Sequence, residues 1–67
     1  LREDKAMKRT RQEVVARWLA SRAPEQRTGN EALIFSDECW AGGLRLAASP
    51  VVHYELVMAA IRRTLID

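Results

Sequence analysis

The chain has 67 residues, 48% of them apolar and 30% charged, with a net charge of +2. Two domains would each be too short to enclose a core, and even one of this length buries only about 60% of the surface it exposes when unfolded. A single Cys39 excludes an intramolecular disulfide, and one cysteine with one histidine, His53, falls short of a four-ligand zinc site, so oligomerisation is the expected support for a marginal core.

The longest apolar run, Leu56 to Ile61, has six residues, far fewer than the roughly 20 that a membrane span requires. Arg2, Glu3, Asp4, Lys5, Lys8 and Arg9 open the chain with no apolar stretch behind them, unlike a secretory signal. With its lone thiol, this start predicts a soluble, cytoplasmic protein without membrane contact. Charge is uneven. Residues 1–27 hold eight basic and four acidic side chains, whereas residues 28–67 hold three basic and five acidic.

The first predicted helix spans about Asp4 to Ala23. Met7, Val14, Val15, Trp18 and Leu19 fall on one arc at helical spacing, and alternation fails at Val14–Val15 and Trp18–Leu19. Asp4 with Lys8, and Glu13 with Arg9 and Arg17, place opposite charges four residues apart on its outer side. Pro24 ends it, because proline disfavours helical geometry in the residue before it. The polar run Pro24 to Asn30 reads as a surface loop. Ala32 to Phe35 reads as a short strand or a tucked apolar connector.

Ser36, followed by Asp37 and Glu38, has the form of a helix start, with Phe35 and Trp40 spaced as a hydrophobic staple. The second helix is accordingly predicted over Asp37 to about Ala48, with Cys39, Trp40, Gly43, Leu44, Leu46, Ala47 and Ala48 on one face and Gly43 with Ala47 forming a smooth patch. Two mid-helix glycines, Gly42 and Gly43, oppose it by about 2 kcal/mol. The alternative makes them a turn and pairs Leu44–Leu46 with Leu33–Phe35 as strands, an α-β-β-α order. The helix is favoured because more positions fit its face.

Ser49-Pro50 begins the third helix with a capping hydroxyl and a proline at the first helical position; it is predicted to run to about Ile66. Val51, Tyr54, Met58, Ile61 and Leu65 form one apolar stripe, and Val52, Leu56, Ala59, Ala60 and Ile66 a second. Two other helices cover only one of them. The fold expected is therefore an all-α domain of three helices, pairing as a homodimer through Val51, Tyr54, Met58, Ile61 and Leu65.

Residues that could carry chemistry have complete bland readings. Cys39 in a helix's first turn, with His53 as base, is the only nucleophilic pair available, yet a small buried cysteine explains the position. His53 reads as an exposed polar residue or one end of a pH-sensitive contact. Asp37 and Glu38 are explained by the helix dipole. Gly42-Gly43 lacks the lysine and spacing of a phosphate-binding loop. No enzyme activity, cofactor or metal is expected.

Binding is left. Trp40 and Tyr54 with a rim of Arg11, Arg62 and Arg63 are the candidate contacts to a larger protein partner. Nucleic acid is the alternative, through Arg2, Lys5, Lys8, Arg9, Arg11, Arg17 and Arg22. Acidic residues interleave with these, and the third helix lacks the polar series that reads base edges.

In its size, its arginine-rich start and its Ser36-Asp37-Glu38 and Ser49-Pro50 openings, the chain resembles the very small helical proteins that phages and other mobile elements use to inhibit host proteins, such as phage anti-activators of quorum-sensing transcription regulators. The resemblance covers the whole chain as a general plan, and no residue roles are carried over. It implies a host transcription regulator or motor ATPase as the target.

Overall fold

Three amphipathic segments make three helices, and the described residues contain no strand. A computed structural model describes residues 2–66, with side chains from Lys8 to Ile66; Met7 and the Asp4–Lys8 pair lie outside the described side chains. Helix α1 spans Arg2–Ser21, α2 Gly29–Ala41 and α3 Pro50–Ile61. Short 3-10 turns follow the first and last of them, over Pro24–Gln26 and Arg62–Thr64. The all-α three-helix expectation holds, and the α-β-β-α alternative does not.

Helix α1 buries Val14 and Trp18, one turn apart. Ala23 ahead of Pro24 is extended, with ψ of 158°, the geometry a following proline imposes. Its N–H is taken by Gln26 Oε1 at 2.9 Å. Of the two arginines placed beside Glu13, it is Arg17 that pairs, at 2.8 Å.

The second helix is the main correction. It begins at Gly29, eight residues before the predicted start, and ends at Ala41. Thr28 is the N-cap: its hydroxyl accepts from the N–H of Glu31 at 3.2 Å. Thr28-Gly29-Asn30-Glu31 has the Thr-x-x-Glu spacing that marks helix starts, a signal hidden inside residues that also favour turns. Ser36 is not a cap but a buried mid-helix residue, so the Phe35–Trp40 staple has no helix start to brace. Ala32, Phe35, Ser36 and Cys39 form the inward stripe.

Gly42 and Gly43 terminate this helix instead of lying within it. The N–H of Gly43 donates to Trp40 O at 3.2 Å, and that of Leu44 to Cys39 O at 2.9 Å. This crossed pair is the Schellman arrangement, which needs a left-handed residue just past the cap. Gly43 supplies it with φ of +86°. Residues 44–48 follow as irregular chain, so the predicted helix through Ala48 and its Gly43–Ala47 patch are not formed.

Helix α3 starts as predicted, with the Ser49 hydroxyl accepting from Val52 N–H and Pro50 in the first position. It packs against both α1 and α2. Its regular part ends at Ile61, short of Ile66, and the N–H of Ile66 is tied to Arg27 O at 2.9 Å. The core consists of Val14, Trp18, Ala32, Phe35, Cys39, Leu46, Val57 and Ile61.

Two polar groups specify this interior. Trp18 Nε1–H donates to Thr64 Oγ1 at 2.7 Å, and that hydroxyl donates to Ile61 O at 2.7 Å, locking α1 to the end of α3. His53 is buried, and its Nδ1 accepts from the N–H of Leu46 at 3.0 Å. Nε2 therefore carries the proton and donates to Ser36 O at 3.1 Å. One imidazole thus joins α2, α3 and the connection between them.

Candidate protein-binding groove

Three inward residues of α3, His53, Val57 and Ile61, recur every fourth position and leave the flank carrying Val52, Leu56 and Ala59 exposed. On α1, Val14 and Trp18 turn inward and leave Leu19 at 42% exposure beside half-buried Val15. The two uncovered flanks meet. Arg11, Gln12, Val15, Ala16 and Leu19 of α1 and Ala60 of α3 line one depression of about 390 Å³. A second, of about 330 Å³, is lined by Arg11, Leu46, Leu56, Ala59 and Ala60.

Arg11 and Ala60 belong to both depressions, so the pair forms one groove between α1 and α3. The small side chain of Ala60 sets the floor there, and Arg11 is the one charged lining residue. The apolar set of α3 that stays uncovered is the one containing Val52, Leu56 and Ala59, predicted to pack inside the domain.

The predicted dimer stripe is divided. Ile61 is fully buried within its own chain and is unavailable to a second one. Met58 and Leu65 are half-buried against the core, Tyr54 is half-buried and Val51 is exposed. Helical periodicity found two apolar faces on α3 but not which would face inward: the buried one begins at a polar residue, His53.

Among the predicted partner contacts, Arg11 lies at the middle of the groove, whereas Trp40, Tyr54, Arg62 and Arg63 line neither depression. Trp40 is instead packed on the His53 ring at 5.4 Å, with the Arg45 guanidinium 4.1 Å from its own ring centre. Arg45 Nε–H also donates to Trp40 O at 3.0 Å. Arg62 and Arg63 are exposed on the 3-10 turn after α3. Arg11 is the only groove residue expected as a contact; the apolar Val15, Leu19 and Leu56 stood on apolar stripes without being singled out.

The candidate reactive groups are occupied otherwise. Cys39 lies in the last turn of α2, not the first, and burial pushes its thiol above the ordinary range, with Arg17 and Arg22 pulling the other way. A helix C-terminus disfavours a thiolate. Both nitrogens of His53 are engaged by Leu46 and Ser36, so the Cys39–His53 pair is not formed. Asp37 and Glu38 fall in the second half of α2, where Arg22 reaches Glu38 at 3.5 Å.

Two of the arginines are held within the domain. Arg22, with only 11% of its side chain exposed, pairs with Glu31 at 3.0 Å. Its guanidinium lies 5.7 Å from the centres of both the Trp18 and Phe35 rings, which themselves pack at 5.3 Å. Arg27 donates to the carbonyls of Arg22 and Leu19, at the C-terminal end of α1, where cations are favoured. Among the described side chains, Lys8, Arg9, Arg11 and the Glu13-paired Arg17 are the exposed cations of α1.

No described helix is long and apolar enough to cross a membrane. The chain matches no protein-family model, no curated protein and no solved structure. The Ser36-Asp37-Glu38 helix opening, one of the features behind the resemblance to small phage inhibitors, is absent from the fold; the Ser49-Pro50 opening is present.

Proposed function

We propose that this domain acts by attachment to a larger protein, whose activity it modulates by occupying part of its surface. The observation that carries this reading is the groove between α1 and α3, where Leu19 and Leu56 stay open to water although the core beside them is closed. Contiguous apolar surface of this kind marks interaction sites more often than singly scattered residues do. DNA is the weaker reading, because Arg17, Arg22 and Arg27 are engaged in contacts within the domain.

The test is affinity capture with two versions of the chain. The wild-type protein should retain a specific partner, and Leu56→Asp should lose it while keeping the helical circular dichroism and thermal midpoint of the parent. Equal retention by both versions discards the groove as the contact. Binding that weakens steeply with salt, and goes to nucleic acid instead of protein, discards the reading altogether.

A further inference from the structure

The groove has a cation at its centre and no carboxylate on its lining. Arg11 borders both depressions and, among the described residues, has no hydrogen-bond or ion-pair partner. Lys8 lies one turn earlier on α1. The nearest acidic side chains along the two helices face elsewhere: Glu13 is bound to Arg17, and Glu55 lines neither depression.

We infer that the groove receives an amphipathic helix of an acidic partner, which seats one apolar side chain on each side of Arg11 and sets a carboxylate on the guanidinium between them. The inference rests on the protein-binding reading above and names its occupant. Two depressions of about 330 and 390 Å³ each have room for a leucine- or phenylalanine-sized side chain. Two helices side by side present the kind of furrow into which a third helix lays its apolar face, anchored at three-, four- and seven-residue steps. A planar guanidinium pairs with a carboxylate through two parallel hydrogen bonds, and apolar walls exclude the water that would weaken the pair. A second copy of this chain fits less well, since its own groove lining offers the cation Arg11 and no carboxylate to pair with it.

The probe is a synthetic amphipathic helix with two leucines a heptad apart and a glutamate between them, alongside the same peptide with lysine in place of the glutamate. Titrated into the full chain and followed by amide chemical shifts and fluorescence anisotropy, the glutamate peptide should perturb Val15, Leu19, Leu56 and Ala60. It should bind about tenfold tighter than its lysine counterpart. Arg11→Gln should abolish that preference and Arg11→Glu reverse it; Arg11 is exposed, so neither change threatens the fold. Leu56→Asp should weaken both peptides. Equal binding of the two peptides, or a preference that survives Arg11→Gln, overturns the carboxylate pairing while leaving the groove as a contact. Failure of both peptides to perturb the groove overturns the groove as well. Perturbation of the same residues on raising the protein's own concentration overturns the acidic partner in favour of a second copy.

Discussion

Leu56 and Val57 are neighbours on α3, yet the first is 39% exposed and the second fully buried. The same contrast runs along the whole helix: His53, Val57 and Ile61 are closed in by the rest of the domain, whereas Val52, Leu56 and Ala59 stay exposed, the last two lining the groove. Both flanks are apolar, so hydrophobicity does not distinguish them. The inner flank is selected by what it meets: the Trp18–Thr64–Ile61 hydrogen-bonded chain on one side and the Leu46–His53–Ser36 chain on the other. Polar groups with fixed partners choose one packing out of two that apolar burial alone would accept.

The contrast is open to direct attack. Ile61→Ala should be the most damaging change on α3, costing about 2–5 kcal/mol through lost burial and the cavity left behind; in a domain this small, loss of cooperative thermal unfolding is the expected readout. His53→Leu should follow, at about 1–3 kcal/mol, because it leaves the buried N–H of Leu46 without an acceptor despite adding apolar surface. If His53→Leu were neutral in chemical denaturation, the polar chain would not be what selects the inner flank.

Gly43→Ala should cost about 1–2 kcal/mol by forcing a Cβ into left-handed geometry. The space around Gly43 is open, so the penalty belongs to the backbone and not to crowding. Cys39 adds a smaller, pH-dependent effect. Its thiol is raised in the folded state, so the unfolded chain gives up this proton first. Stability is then full below the ordinary thiol range and declines as pH rises through it. Denaturation midpoints followed upward from neutral pH should show this decline, and Cys39→Ala should flatten it. Leu56→Ala should do least, within about 0.5 kcal/mol of the parent. A large loss there would mean that the outer flank supports the fold, and the groove would lose its standing as a free surface.

How far the fold could be read in advance differs from element to element. Helix α3 was legible at its start because Ser49-Pro50 has one meaning, a cap followed by a residue with preset φ. Helix α2 was not, because Thr28-Gly29-Asn30 serves turns and helix starts alike, and because Ser36 interrupts its inward stripe with a residue type usually found at caps. Gly42-Gly43 was recognised as an obstacle to a helix through Ala48; the crossed hydrogen bonds from Gly43 and Leu44 give it its meaning as a stop. Of the proposed contacts, Arg11 lies in the groove, while Trp40 packs on His53, a buried residue whose type reads as exposed or as one end of a pH-sensitive contact.

Local residues therefore determined that this protein is helical, where α1 stops and how α3 begins, since propensity, proline and capping act within a few positions of one another. Which flank of each helix turns inward, and hence where the open groove lies, was decided only when the three helices met. Buried hydrogen bonds such as Trp18 to Thr64 and His53 to Leu46 join residues that no local rule brings together.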